Sequence, residues 1–158
     1  MEIERKFLIS SFPDEFPLLS ASEMEQGYLA VDPVVRIRKT VLDSGARSFI
    51  LCFKGKGTLV RQETEISISE TVFSELSLLL KKPMLRKQQR VYALPQGGRL
   101  ECNQVFLPNQ PAFWYAEVEF ASVEEAAAFI PPAFLGKEVT EDPAYSMRAF
   151  WERMEQHV

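Results

Sequence analysis

Polar and apolar residues alternate along most of this chain with a period of two, the spacing of β-strands whose two faces meet different surroundings. The opening run Glu2-Ile3-Glu4-Arg5-Lys6 puts Glu2, Glu4 and Lys6 on one face, and Ile3, Arg5, Phe7 and Ile9 on the other. The pattern returns in Arg36/Arg38, Arg61/Glu63/Glu65 and Glu117/Glu119. Opposite these charges stand faces that need burial: Val35, Ile37 and Val41; Gln62, Thr64, Ile66 and Ile68; Ala116, Val118 and Phe120. Strands are predicted over 2–9, 25–31, 34–42, 47–54, 60–68, 86–94, 98–106 and 112–120. Most are bounded by turn residues such as Asp32-Pro33, Asp43-Ser44-Gly45, Gly55-Lys56-Gly57 and Gln96-Gly97-Gly98. About eight antiparallel strands in succession can close a barrel and remove free edges.

Helical spacing is rarer. Phe73, Leu76, Leu79 and Leu80 predict a helix over 70–81 that stops before Pro83. Ser122-Val123-Glu124-Glu125 is a capping box that opens a second helix through about Ile130. Asp142-Pro143 reads as the N-cap and first residue of a third, running to about Gln156, and residues 14–21 add a short helical turn. The expected fold is α+β, mainly β, in one domain over 1–158. It is a closed eight-stranded antiparallel barrel, a tunnel with a charged lumen and a few helices packed outside.

Composition narrows the chemistry. A chain of 158 residues, 46% hydrophobic and 25% charged, can bury a real core as a single soluble domain. No apolar run approaches the ~20 residues of a membrane span, and no charged-then-apolar leader precedes Glu2, so no membrane partner is expected and the cytoplasm is the default. Cys52 and Cys102 lack C-x-x-C spacing and read as reduced thiols. The net charge of −4 weighs against a nucleic-acid partner. His157 is the only histidine, which removes His-activated nucleophiles and multi-His metal sites. Any metal is left to oxygen ligands, which points to Mg²⁺ or Mn²⁺.

The candidate lumen holds Lys6, Arg36, Arg38, Lys54, Arg61, Arg90 and Lys137 on its basic side, and Glu2, Glu4, Glu63, Glu65, Glu117 and Glu119 on its acidic side. Single segments have plainer readings. Glu2 and Lys6 are also spaced as a surface helix pair, and Val35–Lys39 could be a cationic edge strand that blocks aggregation. Leu51–Gly57 lacks the spacing of a phosphate loop and reads as a β-turn. Together they fit one cavity better than several solvated faces. Buried charge is costly unless paired, and a cavity of both signs suits a polyanion bridged by divalent metal. Phosphoryl transfer needs chiefly positioning and charge stabilisation, so no protein nucleophile is required.

Taken together, these residues resemble the CYTH superfamily, the triphosphate tunnel metalloenzymes, and within it the short bacterial inorganic triphosphatases. Its E-x-E-x-K hallmark is matched by Glu2-Ile3-Glu4-Arg5-Lys6. Gln26-Gly27-Tyr28-Leu29, Arg36/Arg38, Lys54-Gly55, Arg61–Glu65, Ala116–Phe120 and Gly136–Asp142 follow in order. The resemblance implies Mg²⁺- or Mn²⁺-dependent hydrolysis of inorganic triphosphate to pyrophosphate and phosphate. It implies metal ligands at Glu2, Glu4, Glu117 and Glu119, with Glu63 joining or orienting them. Lys6, Arg36, Arg38, Lys54, Arg90 and Lys137 would cradle the phosphates, with Arg61 beside them. The residues expected to carry catalysis are Glu2, Glu4, Lys6 and Glu119. Members often have Lys-x-Arg where this chain has Arg86–Arg90, and an Asp where it offers Glu101 or Asn103.

Other readings stay open at this point. A CYTH-type adenylyl cyclase converting ATP to cyclic AMP would need an adenine pocket, for which Phe12, Tyr28, Phe113 and Trp114 are possible walls. A nucleoside or thiamine triphosphatase, or a non-catalytic triphosphate-binding module, would use the same charges. A homodimer through Phe150 and Trp151 is also possible.

Overall fold

The computed structural model describes residues 1–154; His157 and the end of the third predicted helix lie outside the described residues. The strands are β1 (Glu2–Leu8), β2 (Leu18–Val31), β3 (Val34–Leu42), β4 (Arg47–Lys54), β5 (Val60–Arg61), β6 (Glu63–Ser67), β7 (Leu85–Ala93), β8 (Arg99–Phe106) and β9 (Phe113–Glu119). They form one sheet in the order β5-β1-β9-β8-β7-β2-β3-β4-β6, antiparallel at every pairing.

The strand expected over 60–68 is in fact two, which makes nine strands rather than eight among the described residues. The chain breaks at Gln62, whose carbonyl accepts from the Gly55 N–H at 3.0 Å. On one side Arg61 pairs with Glu2 of β1; on the other Glu63 pairs with Lys54 of β4. The two ends of the sheet are therefore halves of one bent segment, and the sheet curls into a nearly closed barrel. Residues 18–21, expected as part of a helical turn, instead extend β2, because the ladder to β7 (Leu18 with Tyr92, Ala21 with Arg90) supplies their backbone partners.

Among the described residues, three α-helices pack on this frame. In α1 (Glu70–Ser77), shorter than its predicted span, the Ser69 side chain accepts from Val72 N, and Phe73 lies 5.2 Å from the ring of Phe49. In α2 (Val123–Ala128), Ser122 Oγ accepts from Glu125 N at 3.1 Å, while Glu125 reaches back to Ala121 N rather than Ser122 N. Arg5 ties α2 to β1, donating to the Ala126 and Phe129 carbonyls at 2.8 and 3.0 Å and forking onto Glu138. The third predicted helix is split by the extended backbone of Ser146 into a 3-10 turn, Pro143–Tyr145, and α3 (Met147–Arg153).

One end of the barrel is filled by α3. Met147, Phe150 and Trp151 join Tyr28, Val34, Leu85, Val105 and Tyr115 in one buried cluster. Phe150 and Trp151 are thus packed within the chain, 4.6 Å from Phe113 and 5.8 Å from Tyr28 between ring centres. Gly27 leaves room for Leu80 and Trp151: a Cβ there would stand 2.6 Å from Leu80 Cδ1 and 3.3 Å from the Trp151 ring. One expectation fails on the outside. Ile66, on the outer face of β6 and expected to be buried, stays 48% exposed, and Gln62 and Thr64 on the same face are exposed too. Among the described residues no helix is long and apolar enough to cross a membrane.

Candidate active site

The alternation of the strands delivers a cavity of about 710 Å³ inside the barrel, lined by charged residues from every side. Glu2, Glu4 and Lys6 enter from β1, Arg36 and Arg38 from β3, Lys54 from β4, Arg61 from β5, Glu63 and Glu65 from β6, and Glu117 and Glu119 from β9. The phase of β7 admits Lys87 and Gln89, and β8 contributes Glu101. Asn103 lies beneath them, fully buried, its Oδ1 accepting from Gln89 Nε2 at 3.0 Å.

Two cations expected in the lumen lie elsewhere. Arg90 sits on the opposite face of β7, its guanidinium 4.2 Å from the centre of the Phe12 ring. Lys137 is exposed on the segment that follows α2 and is not among the cavity walls. Strand phase explains the first and the absence of a regular strand around Lys137 the second. The walls also include residues not expected there: Tyr115, in phase with Glu117 and Glu119 on β9, Thr58 in the β4–β5 loop, Thr140 and Asp142, and Ser146, Met147 and Arg148 around the start of α3.

Ion pairs knit the cavity at the seam and beside β9. Lys54 Nζ stands 3.2 Å from Glu2 and 3.3 Å from Glu63, and Lys6 Nζ stands 3.8 Å from Glu117. Lys6 also donates to the Tyr145 carbonyl at 3.3 Å. Arg36 and Arg38 are different. Neither belongs to an ion pair among the described residues, and the Nε of each is buried without a hydrogen-bond partner. Arg36 is only 7% exposed. A buried guanidinium with unused donors is a ready anion receptor.

The acids are arranged so that some must hold protons. Burial, then Glu117 across the β1–β9 ladder, pushes the Glu4 carboxyl up to about 10. Burial opposes ionisation of Glu117 too, but Lys6 and the proton donated by Glu4 outweigh it and hold Glu117 at about 2. Burial and a hydrogen bond to Glu63 raise Glu2 to about 7. Glu63 is held at about 2: its own burial is overcome by that hydrogen bond and by Lys54. Burial and then Glu117 raise Glu119 as well.

Glu2, Glu4 and Glu119 can bring one carboxylate oxygen each within 4.8 Å of one another. Three hard oxygen donors, Glu2 and Glu4 partly buried and Glu119 exposed, fit a Mg²⁺ or Mn²⁺ ion, whose charge would reverse the logic that now raises their pKa values. Glu117 and Glu63 stand behind this trio, each tied to a lysine. A second cluster, Cys52 with Glu63 and Glu65, fits a cation poorly. Burial raises its thiol, and Lys54 is already paired with Glu63.

No family model matches the chain. Relatives do, over nearly its whole length. It is 39% identical over 148 residues to an inorganic triphosphatase of Nitrosomonas europaea, covering 94% of this chain and 95% of the relative. An inorganic triphosphatase of Acetivibrio thermocellus is 31% identical over 147 residues, 91% of this chain and 88% of its own. The crystal structure of the inorganic triphosphatase NE1496 superposes with a TM-score of 0.68 at 34% identity, covering 98% of this chain and 96% of that one. With its E-x-E-x-K strand, its charged barrel lumen and these end-to-end matches, the chain belongs to the inorganic triphosphatase family of the CYTH, or triphosphate tunnel, superfamily.

Proposed function

We propose that the protein hydrolyses inorganic triphosphate to pyrophosphate and phosphate inside its barrel, with Mg²⁺ or Mn²⁺ held by Glu2, Glu4 and Glu119. One juxtaposition carries this reading: two buried arginines without ion-pair partners, Arg36 and Arg38, share a cavity with a carboxylate trio in which Lys54 pairs with Glu2 while Glu4 and Glu119 have no ion-pair partner among the described residues. Acids free for a metal beside bases free for an anion match a metal–polyphosphate complex. The cavity volume also falls within the ~300–1,000 Å³ of small-molecule sites.

The chain's own residues then have distinct tasks. Arg36 and Arg38 grip phosphate oxygens, and Lys6, Lys54 and Lys87 offset the charge that accumulates as the anhydride breaks. Glu117 and Glu63 hold Lys6 and Lys54 in place and keep the trio oriented. A bound divalent ion supplies Lewis acidity toward the phosphate oxygens and acidifies water. Water forms a bond to the terminal phosphorus as the bridging P–O bond breaks. Pyrophosphate leaves with that electron pair, and the proton from water passes to the exposed Glu119. Both cysteines are free and buried, in keeping with a cytoplasmic enzyme.

An adenylyl cyclase is less well supported. Of the four candidate adenine walls, only Tyr28 lines the cavity. Phe12 packs on Trp114 at 5.0 Å, and Phe113 is enclosed by Tyr115, Tyr145 and Phe150. Phosphorus NMR of inorganic triphosphate incubated with the protein and Mg²⁺ tests the proposal. Pyrophosphate and phosphate should appear in equal amounts; persistence of the triphosphate resonances would refute it.

A further inference from the structure

Two tyrosines line the cavity beside the arginines, and the hydroxyl oxygen of each already accepts a hydrogen bond. Gln26, fully buried on β2, donates from Nε2 to Tyr28 Oη at 3.2 Å. Lys87, also buried, donates from Nζ to Tyr115 Oη at 3.0 Å. A phenol has one hydrogen to give. With its oxygen already accepting, the O–H of each ring is left as a donor, and among the described residues neither donates to a protein acceptor. Tyr28 and Tyr115 are 7% and 2% exposed, so solvent offers these protons little compensation. Buried donors are seldom left unused.

The surroundings say what acceptor they await. Tyr28 stands opposite Arg36 in the β2–β3 register, and the Lys6 ammonium lies 5.0 Å from the centre of the Tyr115 ring. A cation thus stands beside each tyrosine, and the acceptor compatible with these cations and with a free O–H is an anionic oxygen.

We infer that Tyr28 and Tyr115 donate hydrogen bonds to the phosphate chain of the substrate, with Gln26 and Lys87 as positioning residues that fix both phenols as donors. This rests on the reading of the barrel as a triphosphate site. Neutral donors of this kind add directional recognition to a site whose cations supply attraction from any angle. They favour a fully ionised, acceptor-only chain.

The test is the affinity of inorganic triphosphate for the metal-free protein in EDTA, measured by titration calorimetry, so that turnover is not the readout. Tyr28→Phe and Tyr115→Phe keep the rings that pack the barrel end, and each should weaken binding about tenfold, the worth of a hydrogen bond to a charged acceptor. Gln26→Leu should weaken it less, and Gln26→Leu in a Tyr28→Phe background should add nothing, because both remove the same directed proton. Arg36→Gln serves as the reference for the site. If Arg36→Gln loses affinity while both phenylalanine variants bind like the wild type, this inference is overturned and the triphosphate site stands. Wild-type protein that does not bind triphosphate overturns both. Additive losses from Gln26→Leu and Tyr28→Phe would refute the positioning role of Gln26.

Discussion

Lys54 and Glu2 meet at the seam of the barrel, Nζ to Oε2 at 3.2 Å, where β4 and β1 are joined only through the bent segment of β5 and β6. The same ammonium reaches Glu63 at 3.3 Å. One lysine therefore neutralises two carboxylates, holds two sheet edges together and faces the cavity in which substrate is proposed to bind. Removing one partner of such a partly buried network leaves the others uncompensated.

Lys54→Ala should accordingly cost about 3 kcal/mol of stability in EDTA. Mg²⁺ should restore part of that loss by taking over charge compensation at Glu2. Denaturant melts with and without Mg²⁺ check this. An equal loss in both conditions would mean that Glu2 does not share its charge with a metal.

Glu4→Gln separates the chemistry from the fold. The wild-type Glu4 carboxyl is buried, faces Glu117 and is pushed up to about 10, so a neutral amide suits the metal-free site at least as well. Turnover should fall about a hundredfold or more through lost metal affinity, with the melting temperature in EDTA unchanged or higher. Near-normal turnover would remove Glu4 from the metal site.

The pH dependence of stability carries a definite sign. In the metal-free protein Glu2, Glu4 and Glu101 are raised from 4.5 to about 7, about 10 and about 8. A raised folded-state pKa gives stability that is complete below the unfolded value and lost as pH rises through the folded one. Lys87, buried and lowered to about 7, acts in the opposite sense, but only above that value. Glu63 and Glu117, held at about 2, change stability only below pH 4.5. Stability in EDTA should therefore fall from pH 5 to pH 7, and Mg²⁺ should flatten the slope. Urea midpoints across this window that rise with pH would contradict the proton placement.

Arg36 on β3 faces the cavity, whereas Arg90 on β7 faces outward. Arg36→Gln should weaken triphosphate binding at least tenfold. Arg90→Gln, on the outer face over Phe12, should leave binding near wild type and alter stability alone. Calorimetric titration of the two variants decides between them.

These two arginines also mark where the sequence is readable. On β3, Val35 and Ile37 alternate with Arg36 and Arg38, so the phase is written in the contrast between faces. On β7, Arg86, Gln88 and Arg90 oppose Lys87 and Gln89; both faces are polar and no contrast exists to set the phase. The deciding influence is tertiary: Leu85, in phase with Lys87, is packed into the core beneath α3. The break at Gln62 was equally invisible, since Arg61, Glu63 and Glu65 keep perfect alternation across it. It arises because two separate edges must be paired by one segment. The carboxylate trio, by contrast, follows directly from two alternating strands, E-x-E and E-V-E, laid side by side in register.

The most direct test of the account is phosphate release from inorganic triphosphate, compared with ATP and thiamine triphosphate, in Mg²⁺, Mn²⁺ and EDTA. Rapid release from inorganic triphosphate that requires a divalent ion and far exceeds that from the other two is the predicted result. Equal release in EDTA would contradict the metal site, and preference for ATP with cyclic AMP as product would contradict the triphosphatase reading.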